Sequence, residues 1–335
     1  MAPVKWVYSF LKKYRFKMAA GLLMVTGIAL LTIVNPYISG RIVDDVITGG
    51  NYKLLPVLIG CLLGVVALKG ILRYASQVMF EICSQGVLYS MRDAVYRKLL
   101  QEDFSFYNKN RTGDLMSRQT GDMDAIRHFI AYIIYSVYEN ILLLSFALIM
   151  IFTVNVKLAL AMLVVLPFTA LTTYGQSKSV RPAFMKIRQQ FSSLNTFVQE
   201  NISGNRVVKA FAREDFEIEK FNKENDAYRD AELNAAAIWK KYVPIFEFLS
   251  NILTVVLMLY GGYMVIQGEI TMGNLVTVNG YLWMLTVPLR MAGWWINDIH
   301  RFTTSAEKIY TTYSQEPEIQ EPQQPIVRKH FHGDV

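Results

Sequence analysis

The chain has 335 residues, of which 53% are hydrophobic and 18% charged, with a formal net charge of +7. So large an apolar share argues against an ordinary water-soluble protein, whose surface could not cover it. The basic excess is not gathered into a nucleic-acid-reading module and no zinc-ligand pattern accompanies it, which argues against DNA or RNA as a partner.

The N-terminal segment 1–17 is basic and precedes Met18 to Gly40, a run without any charge. About 20 helical residues cross a bilayer core. The run is too long for the apolar part of a signal peptide and has no small-residue cleavage site, so it is predicted to be the first membrane span. After the polar turn Asp44, Asp45, Gly49, Gly50 and Asn51, a second span is predicted over about 54–80, with Lys69 and Arg73 inside it. A third is predicted over 129–153, interrupted by Glu139, and a fourth over 158–176 after the short turn Asn155-Val156-Lys157. The fifth and sixth are predicted over about 243–266 and 275–296. Cys61 and Cys83 share one apolar stretch and suit neither a disulfide framework nor a metal site.

The connections alternate between short turns and two long charged segments, about 82–127 and 177–242. Lys and Arg number 28 on the side of the termini and long connections against 3 on the other. The positive-inside rule therefore places both termini and both long connections in the cytoplasm of a multi-pass protein of the cell membrane. Met91, Val95 and Leu99 in the first connection, and Phe184, Ile187, Phe191, Leu194, Val198 and Ile202 in the second, recur at helical spacing. The pattern predicts two helical hairpins reaching well beyond the bilayer, with polar tips near 108–114 and 211–216.

The tips carry the most specific residues. Asp103-Phe104-Ser105-Phe106-Tyr107-Asn108, then Arg111-Thr112-Gly113-Asp114-Leu115-Met116-Ser117-Arg118, then Asp122, Asp124, Ile126 and Arg127, resemble the first intracellular loop of ATP-binding cassette (ABC) exporters of the P-glycoprotein-like type. In this reading Gly113 permits a sharp turn, Thr112 caps the following helix, and Leu115 and Arg118 hold that helix in place. Val207-Val208-Lys209-Ala210-Phe211-Ala212-Arg213-Glu214-Asp215 and Phe216 are similar to the family's second intracellular loop. Gly268-Glu269-Ile270-Thr271-Met272-Gly273-Asn274-Leu275, leading through Tyr281 to Pro288, resembles its last external turn and sixth helix. Ser305-Ala306-Glu307-Lys308-Ile309-Tyr310 resembles its exit helix, where Lys308 replaces a common Arg.

The resemblance implies an all-α, six-span ABC exporter transmembrane domain over 18–313, working as a domain-swapped homodimer or heterodimer. It further implies a coupling helix at each tip that docks on a nucleotide-binding domain: Asn108, Arg111, Thr112, Gly113, Asp114, Leu115 and Arg118 at the first, and Phe211, Ala212, Arg213, Glu214, Asp215 and Phe216 at the second. Packing of Phe211 within its own stalk stays an equal alternative. Residues 314–335, with Pro317, Pro322 and Pro325, read as a linker, and Gly333-Asp334-Val335 as the first residues of a nucleotide-binding domain. No Gly-x-x-x-x-Gly-Lys-Ser/Thr phosphate loop occurs in the sequence. The expectation is a chain without an ATPase site, cut short or separately encoded, with ATP and Mg held on the missing domain of an ATP-hydrolysing translocase.

Tyr132, Tyr135 and Glu139 form a polar and aromatic stripe on the third span, and Trp283, Met284, Arg290 and Trp294 a similar mixture on the sixth. Such surfaces suit amphipathic, often cationic, compounds, although Trp294 and Trp295 equally suit an interfacial anchor, and Lys69 and Arg73 on the second span either snorkel to the interface or pair with Glu139. The four histidines show no metal or triad arrangement, so no covalent chemistry is expected. The alternative function is an ATP-independent channel or carrier, for which Lys69, Arg73, Glu139 and Glu247 would supply intramembrane charge.

Overall fold

A computed structural model describes residues 2–317, and every regular element among them is helical. The linker prolines Pro322 and Pro325, the terminal Gly333-Asp334-Val335, His330 and His332 lie outside the described residues. We number the helical runs α1 (Ala2–Thr48), α2 (Tyr52–Gln101), α3 (Phe104–Lys109), α4 (Thr112–Val154), α5 (Val156–Ala210), α6 (Glu214–Ile266) and α7 (Met272–Ser314). Five of them, α1, α2, α4, α5 and α6, are long and apolar enough to cross a membrane. The predicted sixth span falls in α7, which is as long but diluted by Gly273, Asn274, Asn279, Gly280 and Pro288.

The local chemistry explains where the helices begin and end. Pro56 sits in the first turn of the α-helix Leu55–Gln101, where a missing N–H costs nothing, and no later proline interrupts that helix. At 1.5 Å per residue its 47 residues extend about 70 Å, more than twice a bilayer core. Asn155 separates α4 from α5 and caps the latter, its Oδ1 accepting from the N–H groups of Lys157 (2.9 Å) and Leu158 (3.2 Å). Gly268, at φ +75°, turns the chain between α6 and α7 in a backbone region closed to most residues.

The chain divides into two compact units. The first contains 2–28, 70–139 and 295–317 of the described residues. Its core joins Val7, Phe80, Met91, Met123, Ile126, Ile130, Phe302 and Ile309, with Phe129 stacked on Phe302 at 4.0 Å. The second contains 29–69 and 140–294, and its core includes Ala147, Ile151, Leu158, Leu257, Val278 and Tyr281.

Within the second unit, α1 and α7 approach at backbone distance. A Cβ on Gly40 would lie 2.5 Å from the Gly273 oxygen, and one on Gly273 would lie 2.2 Å from the Gly40 oxygen. Only glycine fits there. The closeness lets the Tyr281 hydroxyl donate to the Ile33 carbonyl (3.1 Å) and lets Asp44 accept from the Thr271 hydroxyl (2.6 Å) and the Gly273 N–H (2.7 Å). Asp44 thereby satisfies an orphan N–H at the start of α7 from another helix.

Candidate functional site

The first tip is built by α3, the turn at Asn110 and Arg111, and the start of α4. Asp103 caps α3 by accepting from the Phe106 N–H (3.0 Å). Two sequence expectations change here. Thr112 is the first helical residue rather than the cap, because Arg111 occupies the cap position in extended conformation and its side chain makes no cap bond. Gly113 is helical, and the turn is made instead by Asn110 (φ −113°, ψ 126°) and Arg111 (φ −69°, ψ 135°). Asn108, Arg111, Thr112, Gly113 and Asp114 are exposed and Leu115 is buried.

A π-helical turn at Arg118–Asp122 comes next, and polar groups stitch it to neighbouring helices. Arg118 donates to the Thr312 hydroxyl on α7. Asp122 accepts from the Ser305 hydroxyl (2.8 Å) and faces the Lys308 ammonium at 3.8 Å. Arg92 on α2 donates to the Gln119 carbonyl (3.2 Å). Charge-assisted bonds of this kind hold a helix end more firmly than neutral ones.

Further along α4, a groove of about 440 Å³ opens between α2 and α4. One wall carries Tyr74, Gln77, Val78 and Glu81; the other carries Arg127, His128, Ala131, Tyr132 and Tyr135. Tyr132 meets the Tyr135 ring edge-on at 5.5 Å and stacks on His128 at 5.5 Å. Arg127 is fixed by Asp124 (2.7 Å) and Glu81 (3.3 Å), and these carboxylates hold its guanidinium above its ordinary pKa, the Asp124 hydrogen bond being the largest cause. One turn beyond Tyr135, buried Glu139 takes both guanidinium nitrogens of Arg73, at 2.6 and 2.5 Å. Of the two sequence alternatives for Arg73, pairing is the one found. The pair occupies the carboxylate that the sequence offered to cationic compounds.

The other candidates lie in the second unit. Met284 is buried in its core, whereas Trp283, Arg290 and Trp294 are exposed. At the second tip, α5 ends at Ala210 and α6 starts at Glu214. Between them the Arg213 N–H reaches the Val208 carbonyl (3.1 Å) and the Ala212 N–H reaches the Lys209 carbonyl (3.3 Å), the bonds of a Schellman cap. Ala212 holds the left-handed position at φ +50°, where glycine is usual. Phe211, Ala212, Arg213, Glu214, Asp215 and Phe216 are all exposed, and Phe211, at 74% exposure, does not pack within its own stalk.

Sequence reasoning missed Tyr74, Gln77, Arg127 and His128 as groove walls. The signal was present: 74, 77, 78, 81 and 128, 131, 132, 135 each take the i, i+3, i+4, i+7 spacing of one helix face.

Residues 18–289 match the family model for the ABC transporter transmembrane region. Among curated proteins, the chain is 35% identical over 334 residues to the uncharacterized ABC transporter ATP-binding protein YknU of Bacillus subtilis, covering 98% of this chain and 55% of that protein. It is 27% identical over 305 residues to the ATP-dependent lipid A-core flippase of Syntrophus aciditrophicus, covering 91% and 50%. It is also 27% identical over 330 residues to the probable multidrug resistance ABC transporter ATP-binding/permease protein YheI of Bacillus subtilis, covering 97% and 56%. The chain thus spans about half the length of the curated relatives it matches. With five long apolar helices and a family match over most of its length, this multi-pass membrane chain belongs to the ABC transporter transmembrane region family.

Proposed function

We propose that this chain is the transmembrane part of an ATP-driven exporter that moves amphipathic small molecules or lipids out of the cytoplasm or the inner leaflet. In this reading six spans, α7 supplying the last, place both termini in the cytoplasm, and residues 18–313 form one domain that pairs with a second half-transporter. ATP and Mg belong to a nucleotide-binding domain beyond the linker, and no reaction is catalysed by the chain itself.

The observation that carries the reading is the stitching of the first tip. Arg118 and Asp122 bind α7 at Thr312, Ser305 and Lys308, just before the linker segment. A displacement delivered to that tip is passed to α4 and α7 together, and α4 carries the groove. The exposed Phe211, Glu214 and Asp215 supply the second docking point, as a Schellman turn followed by the acidic first turn of α6 rather than as a separate short helix. The names of the relatives, a lipid A-core flippase and a multidrug resistance protein, support amphipathic cargo.

The test is made in a transporter carrying an ATP-hydrolysing domain joined after residue 335 and reconstituted in vesicles. Combining Phe211→Ala with Glu214→Lys and Asp215→Lys should leave ATP hydrolysis measurable while abolishing transport. Unchanged transport would overturn the assignment of the second tip, and ATP-independent flux through the unfused chain would favour a channel or carrier instead.

A further inference from the structure

Apart from the groove, the N-terminal segment is one-sided in charge, carrying cations and no acid. Lys5, Lys12, Lys13, Arg15 and Lys17 precede the first acidic residue of the chain, Asp44. All five are exposed, and no ion pair among the described residues engages them. Their exposed neighbours include two aromatic rings, Tyr8 and Phe16, the latter at 75% exposure with the Arg15 guanidinium over it at 4.8 Å.

Helical geometry sorts this segment into two faces. Lys5, Tyr8 and Lys12 recur at i, i+3 and i+7, one stripe running off the α-helical segment Ala2–Leu11, and a 3-10 turn at Lys12–Tyr14 shifts the phase before Arg15 and Lys17. Val7 is buried, and the Trp6 ring packs at 4.9 Å from Tyr313 and 6.0 Å from Tyr310 on α7. Val7 also joins the core that holds Phe302, Ala306 and Ile309 of α7. One face therefore clasps α7 while the other presents cations interleaved with aromatic rings, the composition of a helix lying at a charged membrane surface.

We propose that residues 5–17 form a binding surface for anionic phospholipid, and that through Trp6 this surface fastens the C-terminal part of α7 to the membrane. The inference rests on the reading of 18–40 as a membrane span, which puts Lys17 at the bilayer entrance. A bilayer is the anionic surface that segment meets first. The cations are spread over 13 residues of chain rather than gathered round one point, which fits a charged surface better than a single phosphate. The anchor and the clasp share one short helix, so lipid charge is felt at the segment leading to the linker.

The test uses the whole chain in non-ionic detergent, offered equal amounts of phosphatidylglycerol and phosphatidylcholine and read by native mass spectrometry. Each cation near an anionic surface is worth about fivefold in binding. Replacing all five by Gln is therefore expected to lower phosphatidylglycerol retention at least about tenfold and leave phosphatidylcholine unchanged. A variant exchanging Lys for Arg and Arg for Lys should retain the wild-type preference, and 0.5 M salt should weaken it. Equal retention of the two lipids by the wild type, or an unaltered preference in a folded Gln variant, overturns the proposal. Displacement of the lipid by equimolar inorganic phosphate also overturns it, since that marks a discrete phosphate site.

A second measurement needs no charge variant. In nanodiscs, brominated phosphatidylglycerol should quench the emission difference between wild type and Trp6→Phe more than brominated phosphatidylcholine at the same mole fraction, and equal quenching refutes the idea. Nanodiscs present the same lipid on both faces, so the result does not depend on orientation. Loss of ATP-coupled transport in the fused protein would refute the exporter reading and leave this lipid result standing.

Discussion

The Arg73–Glu139 pair offers the sharpest test of the groove. The two groups meet in bidentate geometry, with the Glu139 side chain 10% exposed and that of Arg73 34% exposed. Two charges about 4 Å apart attract by roughly 4 kcal/mol at an effective dielectric near 20, and desolvation takes back much of that. Removing one partner strands the other. Arg73→Leu leaves a nearly buried carboxylate and is expected to cost about 3–4 kcal/mol. Glu139→Leu leaves a cation on a long stem that still reaches polar surroundings, and about 2 kcal/mol is expected. The double variant replaces both charges by apolar groups and should lie within about 1 kcal/mol of wild type. The expected coupling is therefore about 5 kcal/mol, read from unfolding in mixed micelles with increasing dodecyl sulfate. Losses that add to within about 0.5 kcal/mol would refute a direct pair.

Gly273→Ala places a methyl carbon 2.2 Å from the Gly40 oxygen and 2.5 Å from the Asp44 carboxylate, so the α1–α7 seam must part. A loss of about 2–3 kcal/mol in the same micelle titration is expected, and a variant as stable as wild type would show that the seam is not close-packed. Burial pushes the Cys83 thiol above its ordinary pKa, with the Lys17 ammonium opposing, so the native state favours the neutral thiol. Any stability gained from that neutral form is complete below the unfolded pKa and is lost as pH rises through the folded one. N-ethylmaleimide at pH 7.5 should therefore modify Cys83 at least about tenfold more slowly in the native chain than after denaturation, and equal rates by peptide mass mapping would contradict its burial.

The long helices were legible in the sequence because an uncharged run of about 20 residues has few other uses. The sixth span, expected over about 275–296 from its apolar run, falls in a helix that Asn274, Asn279 and Pro288 dilute, and the structure spends Thr277, Gly280 and Tyr281 on packing against Pro36 and Ile33 of α1. The local roles expected at the first tip changed, since Thr112 and Gly113 are ordinary first-turn residues once Asn110 and Arg111 take the extended conformation. The groove was half visible. The stripe 132, 135, 139 lies on one helix, whereas Tyr74, Gln77 and Glu81 join it only because α2 and α4 pack in a register set by contacts such as Phe80 on Tyr135 at 5.2 Å. Pairing across helices depends on tertiary register, and hydropathy along one segment does not encode it.

That register makes α4 the member on which the proposed mechanism turns. From Arg118 to Glu139 one helical run carries, in order, the stitched tip, the groove wall and the Glu139 end of the ion pair with Arg73, over a rise of about 30 Å. It is not a plain α-helix. π-helical turns occupy Arg118–Asp122 and Phe129–Ile133, each adding a residue to the local turn and rotating the C-terminal remainder of the helix around its axis. The second lies within the groove wall, between His128 and Tyr135. Collapse of that turn to α-geometry would swing Tyr135 and Glu139 relative to Arg127 and His128 while the Arg73–Glu139 bond resists the rotation. In the proposed mechanism the ion pair would limit how far a push on the tip turns the groove, a role distinct from holding cargo.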